Sequence, residues 1–111
     1  MLRRFFTRKL ELLESMDPER IYVENVRHFL GVNERLARWL CEKATRDGFF
    51  EKWVSYEHPE LGHIIVQTPA DEPLDDRPYH DDVSELRELG QIEFTPIQMR
   101  QRIFYRAPIH E

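Results

Sequence analysis

A single cysteine, Cys41, stands among 111 residues, so no disulfide can close within the chain, and the thiolates that give structural zinc sites their affinity are missing. No apolar run approaches the roughly 18 residues that a membrane span requires. The N-terminus opens on Arg3 and Arg4 in the manner of a signal peptide, but Arg8, Lys9, Glu11 and Glu14 interrupt any apolar core, and the segment is expected to stay attached. Catalytic signatures are absent as well: there is no G-x-S-x-G, H-E-x-x-H, P-loop or Rossmann pattern, and no internal repeat. The expectation is a non-enzyme without cofactor in a reducing, cytoplasmic setting.

What is present suffices for one modest core. With 41% hydrophobic residues the chain is expected to form a single domain over 1–111. Its net charge of −5 is unevenly placed. Residues 1–56 hold 11 basic and 9 acidic side chains, whereas 57–111 hold 5 and 12, so a weakly basic front half precedes a strongly acidic back half. The total therefore decides little about partners.

At the front, Leu2, Phe5, Phe6, Leu10, Leu13 and Met16 recur at three- and four-residue spacing and predict an amphipathic helix. Leu12 broadens its apolar face, which is read as that of the first core helix, with a homodimer through the same face as the alternative. Asp17-Pro18 reads as a cap and a short turn. Two further apolar-periodic segments follow, 24–30 and 34–47, joined at Gly31-Val32-Asn33, where glycine suits the left-handed position past a helix end and Asn33 suits the next N-cap. In the second of these, Leu36, Ala37, Trp39, Leu40 and Ala44 are expected to point inward, with Arg35, Arg38, Glu42, Thr45 and Arg46 outward and Cys41, an inert thiol, beside the buried stripe. Gly48 permits a sharp exit, and 52–56 and 62–68 read as a strand pair around Glu57-His58-Pro59-Glu60-Leu61.

This order, helix, tight turn, helix, strand pair, resembles the winged helix-turn-helix superfamily over about half of the chain. The resemblance implies an α+β fold in which 1–68 form a three-helix core with a β-hairpin wing and 69–111 are an extension. It also implies that Ile21-Tyr22-Val23 is a small strand paired with the wing. DNA-binding members lay the helix after the turn in the major groove, where arginine reads guanine edges and other cations meet phosphates. The candidate nucleic-acid residues are then Asn33, Arg35, Arg38, Arg46 and Lys52, with duplex DNA as partner and transcription regulation as role. Arg27 stands where such members usually carry alanine, and Glu57 and Glu60 stand where their wings carry cations. Those departures and the net charge favour an alternative, a winged-helix interaction module that binds another protein, whereas Arg35, Arg38 and Arg46 favour DNA, and a small DNA-binding regulator is the leading expectation.

The extension begins with an acidic stretch, residues 69–88, in which Pro69, Pro73 and Pro78 accompany eight acidic side chains. Asp71, Glu72, Asp75, Asp76, Asp81 and Asp82 are the candidate contacts for a basic protein partner in the alternative reading. A short helix is predicted over 83–89, capped by Asp81 or Asp82 and stopped at Gly90. Ile92-Glu93-Phe94 reads as a short strand and 97–106 as a long one, with Ile97, Met99, Ile103 and Tyr105 on one face, Arg100, Arg102 and Arg106 on the other, and Phe104 breaking the polar face. His58, His63 and His80-Asp81-Asp82 occupy positions where some wing-associated zinc ribbons hold their metal, but without thiolates no metal site is assigned and surface histidines are expected.

Overall fold

The computed structural model describes residues 17–108. The expected N-terminal helix, and with it the dimer face of Leu2, Phe5, Phe6, Leu12 and Leu13, lies outside the described residues. Described residues belong to an α+β architecture of three helices, a three-stranded antiparallel sheet and a two-stranded one. They divide into two compact units, one built from 17–52 and 104–108 and the other from Trp53–Ile103.

The first unit starts at a turn closed by Asp17, whose side chain accepts from the Glu19 amide at 3.0 Å. Ile21 then exchanges both backbone hydrogen bonds with Tyr105, at 2.8 and 2.7 Å. The expected pairing of this segment with the hairpin is thus replaced by a bridge to the C-terminal strand. Ile21 is fully buried, and the exchange satisfies its amide and carbonyl where water cannot reach. Helix α1 (Val23–Leu30) follows; Asn25 Oδ1 accepts from the Tyr22 amide at 2.9 Å, and Gly31 ends the helix at φ +66°. Helix α2 (Glu34–Arg46) begins at Asn33, whose Oδ1 accepts from the Leu36 amide at 2.8 Å.

Small residues decide how α2 packs. Ala37, Cys41 and Ala44, spaced four and three apart, are its buried positions and join a core of Ile21, Val26, Phe50, Tyr105 and Ala107. Leu36 and Trp39, expected inside, are 42% and 51% exposed. The reason is steric: the stripe without bulk permits close approach, and the large apolar residues on the opposite side are left outside. Cys41 is central to the buried stripe rather than beside it, and burial, followed by the Glu42 charge, pushes its thiol up to about 12. Arg27 is half exposed and lies 3.9 Å from Glu24, so no guanidinium enters the packing. Phe49 and Phe50 fold back through amide bonds to the Ala44 carbonyl at 2.8 and 3.1 Å.

Strand β1 (Glu51–Glu57) pairs antiparallel with β2 (Ile64–Pro69), from Trp53 opposite Pro69 to Glu57 opposite Ile64, with an irregularity between Tyr56 and Glu57. The expected strand pair is therefore present. Residues 70–78 hold no helix or strand, as their prolines require. Strand β3 (Tyr79–His80) pairs with β4 (Glu93–Phe94), and between them α3 (Asp82–Leu86) is capped by Asp81. The helix is shorter than expected because Glu88, at φ +55°, turns the chain before Gly90 is reached. The second unit's core comprises Tyr56, Phe94 and Met99 with Val54, Ile65, Val66, Leu74 and Tyr79.

The C-terminal strand also begins later than its sequence suggests. Pro96–Gln98 form a 3-10 turn, in which the Gln98 side chain accepts from the Thr95 amide at 3.0 Å, and β5 runs from Arg100 to Arg106 in a sheet ordered β2-β1-β5. Ile97, 91% exposed, and Ile103, 48% exposed, leave the face assigned to them, whereas Phe104 and Tyr105 are both buried. Successive strand residues point to opposite sides. Phe104 lies under the Arg20 guanidinium, 4.2 Å from its ring, and Tyr105 lies 6.0 Å from the Phe50 ring. Burial, with the Glu42 carboxylate second, raises the Tyr105 phenol above its ordinary range. Phe104→Ala is expected to cost about 3–5 kcal/mol in urea denaturation, and Ile103→Ala less than about 0.5 kcal/mol. Equal losses at the two positions would refute this assignment of faces.

Candidate functional site

Two surfaces were candidates for contacts with a partner, and the structure treats their residues unequally. On α2, Asn33 uses its side chain as the helix cap. Arg38 donates to Glu34 at 2.8 Å, and Glu42 accepts from Lys52 at 2.7 Å. Both pairs are partly or fully solvated and each contributes little to stability. Arg35 and Arg46 are exposed and make no ion pair among the described residues. With 3.6 residues per turn, Arg35, Trp39 and Arg46 stand within about 40° of one another around the helix axis. Leu36 continues this face next to Trp39, so α2 presents an apolar centre bordered by two uncommitted cations. Sequence reasoning missed Trp39 and Leu36 because it centred the buried face on bulk; the signal available was the 37/41/44 run of small residues on the other side.

The acidic residues separate into three settings. Asp71, Glu72, Asp75 and Asp76 are exposed. Their stretch is held through its backbone, with the Thr68 hydroxyl donating to the Glu72 carbonyl at 2.7 Å and the Tyr79 hydroxyl to the Asp75 carbonyl at 3.3 Å. The Arg77 guanidinium lies over the Tyr79 ring at 4.5 Å. Asp82 is exposed beside His80, 3.4 Å away. Asp81, by contrast, is buried, and no partner can reach it. Arg100 donates to the Pro59 carbonyl at 3.5 Å.

The histidines do not form the single group that their positions suggested. His80 is exposed and bonded to Glu85 at 2.6 Å; that bond, together with the charges of Glu85, Asp82 and Glu93, holds its pKa above the ordinary value. One donor atom each from His80, Asp82 and Glu85 lies within 4.8 Å of the others. His58 and His63 belong elsewhere, with ring centroids 5.1 Å apart. His58 is buried, and its Nδ1 accepts from the amides of Glu60 at 3.1 Å and Leu61 at 3.0 Å, so that nitrogen keeps its lone pair and the ring proton sits on Nε2. Its ring meets Phe94 edge-on at 5.0 Å. Glu57 is buried as well, so of the two acidic residues expected at the hairpin turn only Glu60 faces solvent.

His63 Nε2 donates to Asp81, lying 2.9 and 2.8 Å from its two oxygens. The same carboxylate accepts the Ser84 hydroxyl at 2.5 Å and, at 3.3 Å, the Val83 amide that makes it the cap of α3. Burial alone would raise the Asp81 pKa; the bonds from Ser84, His63 and Val83 and the His63 charge outweigh it and hold the carboxyl below its ordinary range. Asp81 stands between Ser84 and His63, so the serine hydrogen goes to a carboxylate and not to an imidazole. The arrangement positions Ser84 without activating it.

Comparison of the chain with family models, curated proteins and solved structures finds no match.

Asp81 also generates a pH dependence of defined sign. Its folded pKa is depressed, so its contribution to stability is complete above the unfolded value and is lost as pH falls through the folded one. Asp81→Asn is expected to destabilise by about 3 kcal/mol at neutral pH, because it leaves His63 and Ser84 facing an uncharged group in a buried site. Urea midpoints measured from about pH 6 to about pH 2 should fall for the wild type, with a smaller decline for the variant.

Proposed function

We propose that the chain is an interaction module of winged-helix type that binds another protein on the exposed face of α2. One observation carries this reading: Trp39 is 51% exposed on a stripe shared with Arg35 and Arg46. An indole left half in water gains much on burial, and tryptophan and arginine are the residue types that most often dominate binding energy at protein interfaces. Leu36 enlarges the apolar centre. The complementary partner surface is apolar with carboxylates at its border.

The competing reading, a regulator that binds duplex DNA through Asn33, Arg35, Arg38, Arg46 and Lys52, has Arg35 and Arg46 in its favour. Against it, Asn33, Arg38 and Lys52 are engaged within the chain, Glu34 and Glu42 lie among them, and a groove-reading helix has no use for a large exposed apolar centre. The Glu60 carboxylate at the hairpin turn opposes a phosphate backbone.

The test compares Trp39→Ala with Arg35→Ala and Arg46→Ala. A photo-crosslinker placed at position 39 identifies the partner in cells, and the purified pair is then measured by calorimetry. Trp39→Ala should weaken the complex by about 2 kcal/mol or more, and each arginine variant by less, with far-UV circular dichroism unchanged. Fluorescence anisotropy on mixed-sequence duplex and single-stranded DNA at low salt supplies the counter-test. Duplex binding that is lost in Arg35→Ala and retained in Trp39→Ala would transfer the function to DNA.

A further inference from the structure

The two turns that meet at Asp81 in the second unit are built alike. In the first, His58 Nδ1 accepts from the amides two and three residues on, Glu60 at 3.1 Å and Leu61 at 3.0 Å, and the Gly62 amide closes the turn on the His58 carbonyl at 3.0 Å. Gly62 takes φ +81°, a conformation that other residues adopt at a cost. In the second, the Asp81 carboxylate accepts from the amide two residues on, Val83, and from the hydroxyl three residues on, Ser84. Positions 58 and 61 in one turn and 81 and 84 in the other therefore share an i, i+3 spacing. Structural zinc sites use this spacing, with two short turns each offering a pair of ligands to one ion held between them.

Between these turns stands a ring nitrogen. His63 Nε2 faces both Asp81 oxygens, and its ring stacks against His58 at 5.1 Å. The donor set does not suit zinc in this arrangement: His58 Nδ1 is occupied by two amides, Ser84 offers a hydroxyl, position 61 is leucine, and Asp81 is the one anionic ligand of the four positions. We infer that the paired turns are a metal-type clasp in which the His63 N–H does the work of the cation, joining the hairpin turn to the Asp81 turn. Such a joint needs neither zinc nor thiols, so metal depletion and thiol oxidation leave it closed. The inference is independent of the partner assigned to α2.

Backbone amide exchange of the full chain tests it, because each turn can be read separately. His63→Leu lies in the first turn and Asp81→Asn in the second, yet each should speed exchange at Leu61, Gly62, Val83 and Glu85 alike by about tenfold or more. The double variant should be no more open than the worse single one, since both remove the same link. His63→Gln keeps an N–H donor and should restore part of the protection. A chelator should leave wild-type exchange unchanged. A variant with His58→Cys, Leu61→Cys, Asp81→Cys and Ser84→Cys should take up Co2+ with the visible absorption of a tetrahedral thiolate site. Effects confined to the mutated turn would overturn the clasp, as would a wild-type protein purified with one equivalent of zinc whose removal opens both turns. A folded four-cysteine variant that binds no cobalt would overturn the shared geometry.

Discussion

A carboxylate removed from water must be compensated in place, and in the second unit that requirement falls on Asp81. Its two oxygens collect a ring N–H from His63, a hydroxyl from Ser84 and an amide from Val83, so the residue after the hairpin turn and the first turn of α3 are both fixed by one charge. The Asp81 backbone contributes as well, its amide donating to the Ile92 carbonyl at 2.8 Å. A five-residue helix such as α3 could not hold itself in water. It exists because its cap is buried and immobile. The two-residue strands β3 and β4 on either side are likewise too short for independent stability, and Phe94 completes them by inserting into the core with Tyr56 and Met99.

The first unit solves a different problem, that of packing a charged helix closely. A stripe of two alanines and a cysteine lets α2 approach its neighbours, and the aromatic bulk comes from Phe50 and Tyr105 rather than from α2 itself. Charge is then free to occupy the outer faces, where most of it is neutralised at short range: Glu34 with Arg38, Glu42 with Lys52, Lys43 with Asp47 at 3.1 Å. What remains is informative because so much else is paired. Among the described residues the exposed indole and its two arginines are left over from folding, which is why they point to binding rather than to stability.

Local chemistry was legible in the sequence wherever a residue's own conformational preference settled the matter. Gly31 and Asn33 marked the turn between helices, the prolines marked the irregular acidic stretch, and the Asp81-Asp82 pair marked the start of α3, which Asp81 caps. The strand pair was readable from its two β-rich runs and the turn residues between them, although its second strand starts at Ile64 and leaves Gly62 in the turn. Non-local choices were not. Nothing near Ile21 says that its partner is Tyr105, and nothing near His63 says that a buried carboxylate waits eighteen positions on. The face of α2 was misread because leucine and tryptophan were weighted by size, whereas close helix packing selects by smallness. The start of β5 was misread because Pro96, taken as a boundary, in fact opens a 3-10 turn that shifts the strand.

Cys41 has a use that its inertness creates. With its thiol fully buried and its pKa raised to about 12, it reacts with a solvent disulfide reagent only in molecules whose helices have parted. The rate of that labelling is the opening equilibrium multiplied by a known chemical rate, so the first unit carries its own stopwatch for breathing. Residues 53–103 contain no thiol, and the signal is therefore silent on the second unit. Loosening at the helices can therefore be timed in the natural chain, with no cysteine added to it.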